Sequence, residues 1–152
     1  MINCSFDLNG KAMSTFKSNT LSIPAFSGFG THVNRRAFAC QAGSGPIPPG
    51  RYYIFDRQSG GLLGAFRDML NGHDDWFALY AIDRTIDDET FCNQVKRGNF
   101  RLHPKGPSGI SQGCITVADR TDHQKLRAYL KASTPSVVPG SQLQAYGVVV
   151  VR

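Results

Sequence analysis

The chain has 152 residues, enough for one domain (1–152) with its own core and no need of stapling. Hydrophobic residues at 41% exclude overall disorder. Gly (16) and Pro (8) favour turns and short strands, which argues against a helical bundle or coiled coil. The net charge of +6 points to anionic partners. Yet the basic residues are scattered, with Arg35-Arg36 and Lys96-Arg97 the adjacent pairs, and no basic stripe interleaves with aromatics. No nucleic-acid partner is expected.

The opening Met1-Ile2-Asn3-Cys4 lacks the cationic-then-apolar order of a secretory signal. No apolar run approaches the roughly 18 residues of a membrane helix, so no membrane insertion is expected. The expectation is a product made in the cytoplasm that a dedicated machine must carry if it acts elsewhere.

In chain order, Asn9-Gly10 between two alternating segments predicts a hairpin. Leu21, Ile23 and Ala25, alternating with Ser22 and Pro24, predict an edge-type strand. Residues 37–41 read as a strand and 43–50 as a rigid turn, followed by a tyrosine-rich strand over 51–55. Leu62, Leu63, Phe66, Met69 and Leu70 recur at helical spacing. Residues 76–80 read as a buried strand, and 87–95 as one or two helical turns with acids at their start. Strands are expected at 100–103 and 114–117. Thr121-x-x-Gln124 is a capping box opening a helix with Leu126, Tyr129 and Leu130 on one face. Residues 147–151 form a valine-rich core strand. The fold class is mainly β with a minor α component.

Cysteines stand at 4, 40, 92 and 114, with no C-x-x-C spacing and no metal-type ligand pairs. Cys4, Cys40 and Cys92 read as inert, with a Cys40–Cys92 disulfide one pairing open to them in an oxidising compartment. His32, His73 and His123 read as surface histidines, and Trp76 as core. His73-Asp74-Asp75 is no cation site, because adjacent residues rarely converge on one ion.

The chemistry concentrates in Arg101-Leu102-His103-Pro104-Lys105-Gly106-Pro107-Ser108-Gly109-Ile110-Ser111-Gln112-Gly113-Cys114. A histidine ends one strand and a cysteine begins the next. If those strands are neighbours, imidazole and sulfur meet. A thiol becomes a strong nucleophile when a neighbouring histidine takes its proton. Arg101 shares a strand face with His103, so it is a candidate receptor for a substrate carboxylate. Lys105 adds positive charge. Gly113 leaves the sulfur open, and its N–H with that of Cys114 can form an oxyanion hole. A carbonyl of the Pro104 turn can orient the imidazole. Ser111 can shape the loop or touch substrate, and Tyr80 can line the cleft.

The order His, glycine-rich loop, Ser-x-Gly-Cys-Ile is similar to the signature of L,D-transpeptidases, cysteine enzymes of peptidoglycan. Three stretches resemble the type VI secretion L,D-transpeptidase effectors: Phe26-Ser27-Gly28 before residues 45–54, Arg97 to Pro104, and Ser111 to Thr116. That resemblance implies an L,D-transpeptidase-like β-sandwich or barrel core with two or three short helices. It implies Cys114 as nucleophile, His103 as base, and no cofactor. It implies peptidoglycan stem peptides as substrate, with cleavage between diaminopimelate and the terminal D-Ala and exchange for other D-amino acids. It further implies the type VI secretion machinery and a cognate immunity protein as partners, and action in the periplasm of target bacteria. Two positions depart from the common signature. Gln112 replaces a histidine before Gly-Cys, and Thr116 replaces an arginine. The rival reading is a non-catalytic envelope-binding module with an unreactive Cys114.

Overall fold

A computed structural model describes residues 1–57 and 75–152. The helix expected from Leu62 to Leu70, and His73, lie outside the described residues. Twelve strands are seen among the described residues: β1 (Ile2–Phe6), β2 (Ser14–Lys17), β3 (Ser22–Phe26), β4 (Gly50–Asp56), β5 (Phe77–Ala81), β6 (Glu89–Cys92), β7 (Val95–Gly98), β8 (Arg101–Pro104), β9 (Ile115–Val117), β10 (Ser136–Val137), β11 (Gln144–Ala145) and β12 (Gly147–Val151). One α-helix, α1 (Arg120–Lys131), lies between β9 and β10. No described helix is long and apolar enough to cross a membrane.

Eight strands close a barrel in the order β1-β12-β4-β5-β8-β9-β3-β2. Closure leaves no free edge, so Pro24 sits in an interior strand paired on both sides rather than at an edge. Short strands suffice because apolar residues alternate with what lies outside. Phe6, Phe16, Tyr52, Ile54, Phe77, Leu79, Leu102, Ile115 and Val149 fill one continuous core. The opposite face of β4 and β5 is also buried, through Tyr53, Phe55, Ala78 and Tyr80 against Val138, Ala145 and Val148. Leu126 and Leu130, four apart on α1, join the main core.

Four local expectations are corrected. The segment 87–95 is not helical. It runs into the β6–β7 hairpin, joined by Asn93 and Gln94, both at positive φ, as a two-residue primed turn requires. Its acids serve turns instead: Asp87 Oδ1 accepts from Glu89 N at 2.9 Å. Residues 37–41 hold a 3-10 turn over Arg36–Phe38, not a strand. The Asn9-Gly10 connection is a longer loop, because β1 and β2 pair only from Ser5↔Lys17 and Phe6↔Phe16. At α1 the cap is Asp119, whose Oδ1 accepts from Thr121 N at 2.8 Å and Asp122 N at 3.2 Å, not Thr121.

Cys40 and Cys92 form a disulfide across 52 residues, tying the segment before β4 to the β6–β7 hairpin. By loop entropy, closing a loop of that size contributes about 4 kcal/mol. The C40S/C92S double variant is expected to lose most of that, read as a lower urea midpoint with an unchanged far-ultraviolet dichroism spectrum.

Candidate active site

The parallel pairing of β8 with β9 aligns Leu102 with Ile115 and His103 with Thr116. Leu102 and Ile115 point into the core with no exposure. Alternation then sends Arg101, His103, Cys114 and Thr116 to the other face. One register step before Ile115, Cys114 lies beside Arg101, and the Arg101 backbone N–H bonds the sulfur. Cys114 and His103 are thus diagonal neighbours on one face. With about 4.8 Å between strands and about 3.3 Å rise per residue, their Cα atoms lie about 8 Å apart, within side-chain reach.

His103 is buried, and its Nδ1 donates to the Pro104 carbonyl at 2.7 Å. That fixes the tautomer, with the proton on Nδ1. Trp76 stacks on the ring, centroids 4.2 Å apart and planes 18° from parallel. The Arg57 guanidinium lies over the Trp76 ring. Trp76 is half-buried and serves this site rather than the core.

Cys114 is partly exposed, and its Sγ lies 3.7 Å from the Asn99 carbonyl. Burial pushes its thiol above the ordinary value; the Arg101 N–H and charge pull it down, and Asp88 pushes it up. The thiol is therefore protonated at neutral pH. Lys105 has no part in this balance. It packs against Gly109 in a separate groove of about 880 Å³ shared with Lys11, Met13 and Arg35.

Arg101 is gripped by Asp88 through two bonds, Nη1–Oδ1 at 2.7 Å and Nη2–Oδ2 at 2.5 Å. Its guanidinium is satisfied within the protein rather than offered to a substrate carboxylate. Ser111 is 1% exposed; its hydroxyl donates to the Cys114 carbonyl at 2.7 Å and accepts from Gly28 N at 3.3 Å. It shapes the loop. Tyr80 is buried in the layer outside β4 and β5.

Gly113 sits at φ +111°, and a Cβ there would meet Arg97 Nη2 at 2.7 Å and Phe100 Cε1 at 2.9 Å. Only glycine passes the chain between Arg97 and the sulfur. Arg97 is itself buried. Its Nη2 donates to Gly45 O at 3.1 Å, and its Nη1 to Pro46 O at 3.3 Å and to Ala39 O. Beyond it a groove of about 390 Å³ opens onto Cys114, lined by Gly43, Asp88, Glu89, Lys96, Asn99 and Gln112. Lys96 and Glu89 pair there at 2.5 Å, so both signs of charge face the groove.

Sequence reasoning missed Asp88, Arg97 and Asn99, and placed His123 on the surface. His123 is fully buried, because α1 packs its ring behind β8. Burial lowers it to about 4, against a partial rise from Asp75. The signal for Arg97 was its place at the start of the second matched stretch, just before Gly98; nothing in the spacing flagged Asp88. Among the described residues, no three metal-ligating side chains converge.

The model of the Tlde1 domain family matches residues 22–141. The chain belongs to that family, an L,D-transpeptidase-like family of type VI secretion effectors. No curated protein and no solved structure matches the chain.

Two expectations follow from the site's electrostatics. Iodoacetamide at pH 7 should label Cys114 and spare Cys4, whose thiol burial pushes up to about 12. D88N removes the charge that raises the Cys114 thiol and leaves the Arg101 charge less neutralised. Labelling should then accelerate severalfold; an unchanged rate refutes this charge balance. The buried His123 gives a second test. Native His123 binds its proton only near pH 4, whereas the unfolded chain binds it near 6.5. Stability is therefore lost as pH falls from 6.5 to about 4, by about 3 kcal/mol. H123N should flatten that part of a urea-midpoint-against-pH curve.

Proposed function

We propose that the chain is a cysteine L,D-carboxypeptidase and L,D-transpeptidase acting on peptidoglycan tetrapeptide stems. The observation that carries this reading is the shared face of Cys114 and His103, with Nδ1 tied to Pro104. Membership of an effector family with L,D-transpeptidase-like character supports it.

His103 Nε2 takes the thiol proton as Sγ attacks the carbonyl at the L-centre of diaminopimelate. The oxyanion forms beside the main chain at Gly113 and Cys114. As the C–N bond breaks, the imidazolium returns its proton to the departing D-Ala amine. The thioester then meets water, which completes a carboxypeptidase cycle, or the amine of another D-amino acid, which completes exchange. A protonated resting thiol suits this general-base route, because the proton moves during attack instead of before it. The mixed charges of the groove suit a zwitterionic diamino acid.

The Cys40–Cys92 disulfide favours action in an oxidising compartment, such as the periplasm of a target cell. Effector membership brings with it a secretion machine and an immunity protein as partners.

The test is product analysis on intact peptidoglycan by mass spectrometry. The wild type is expected to release D-Ala from tetrapeptide stems and to incorporate an added D-amino acid. C114A should abolish both, and H103A should reduce them by at least about a hundredfold, the lower end expected of a lost general base. Undiminished release by a folded C114A protein would end the reading in favour of the non-catalytic envelope-binding module.

A further inference from the structure

Behind His103 lies a second group of polar side chains that the reaction above does not use. His123 projects from α1 with no exposure, and neither ring nitrogen has a hydrogen-bond partner within geometric limits. Its Nδ1 lies 3.8 Å from Asp75 Oδ2. The same carboxylate oxygen receives Arg120 Nη2 at 3.3 Å, also from α1. Asp75 Oδ1 is buried without a partner. The side chain of Asp75 is 14% exposed, so its charge is poorly screened. The next residue is Trp76, which lies flat on the His103 ring. His103 and His123 are close enough that a charge on one opposes a charge on the other.

The geometry points to Asp75 and His123 as positioning residues for the base. Asp75, docked on α1 beside His123 and through Arg120, sets where Trp76 lies, and Trp76 fixes the plane of the His103 imidazole. Neither residue reaches the sulfur or the groove. Their effect passes through His103, whose ring must hold Nδ1 on Pro104 for Nε2 to face Cys114. Leu102, one residue before the base, brings its backbone up to the His123 ring on the other side. The arrangement also confines the proton. Burial keeps His123 neutral above about pH 4, so the proton leaving Cys114 goes to His103 and not to its neighbour. The titratable and charged groups facing this pair are Arg101 from β8, Cys114 before β9, Arg120 from α1, Asp75 before β5, and Arg57 after β4.

This inference rests on the enzymatic reading for its kinetic arm only. The experiment uses the full chain and the variants D75N, H123A and H123N. Three measurements are made on each: the His103 tautomer by 15N NMR, the pH dependence of Cys114 alkylation by iodoacetamide, and D-Ala release from tetrapeptide muropeptides. The wild type is expected to show one His103 tautomer, with the proton on Nδ1. D75N and H123A should show mixed tautomers. In D75N the acid limb of the alkylation profile should move to lower pH, because a lost carboxylate disfavours the charged imidazole. Both should lose about tenfold or more in kcat with KM within about twofold, as misplaced catalytic groups do. H123N, which returns an amide near the Nδ1 position, should recover part of that loss.

Wild-type tautomer and alkylation profile in folded D75N and H123A would overturn the inference, whatever the turnover. Where H123A does not fold, the near-isosteric D75N decides. If wild-type protein releases no D-Ala, the functional reading fails, while the tautomer and alkylation results still decide the role of Asp75 and His123.

Discussion

The site depends on one piece of strand pairing, the parallel register of β8 with β9. Leu102 beside Ile115 sends two large aliphatic side chains into the barrel. The pleat then obliges Arg101, His103, Cys114 and Thr116 to share the outer face. A slip of one residue would reverse every one of these directions and expose both core residues. The cost of exposing them, about 1.5–3 kcal/mol for each buried aliphatic side chain, is what protects the register. The geometry of the candidate site is thus held by apolar packing on the far side of the sheet. Parallel neighbours cannot be joined by a tight hairpin, so the chain needs a wider connection. That need accounts for the glycine- and proline-rich loop from 105 to 113, which returns the chain to the start of β9.

The loop is held by buried polar anchors. Ser111 joins Gly28 to the Cys114 carbonyl, and Ser27 Oγ accepts from Ile47 N at 2.8 Å. Arg97 gathers the carbonyls of Ala39, Gly45 and Pro46. A buried guanidinium is costly unless its donors are satisfied, and here backbone carbonyls satisfy it. Arg97 then forms the wall against which Gly113 must pass. The disulfide reinforces the same junction from outside, since it links the segment that Arg97 grips to the hairpin that carries Arg97. Stability and groove shape are therefore set by the same few contacts.

Much of this was legible in the sequence, for physical reasons that differ by element. The valine run of β12, the aromatic alternation of β4 and the 126/130 spacing of α1 are strong periodic signals, and each element stands where it was expected. Cys114 and His103 could be paired because a strand end, a turn-rich loop and a strand start leave few ways for the chain to return. The β6–β7 hairpin was missed because Asn93-Gln94 is a weak version of the primed turn that Asn-Gly makes strong. The burial of His123 was missed because its neighbours on α1 are charged or polar, and only tertiary packing covers the ring. Asp88 was invisible for a similar reason: its partner Arg101 is thirteen residues away and meets it only once the hairpin folds over β8.

A chain with one disulfide and two free thiols faces an internal hazard, because a thiolate attacks disulfides and a thiol does so slowly. The structure meets it with protonation. Cys4 is buried within the core and its thiol pushed up to about 12. Cys114 opens onto the groove, so burial alone cannot shield it. Its thiol is nevertheless raised, with Asp88 opposing the help that Arg101 gives to ionisation. The charge of Arg101 is partly spent on that same Asp88, which is why a cation beside the sulfur does not yield a resting thiolate. On the same face the His103 imidazole is oriented by Pro104 and Trp76. A protonated sulfur reacts slowly with oxidants and with a disulfide such as Cys40–Cys92, so Cys114 can open onto the groove without presenting a thiolate.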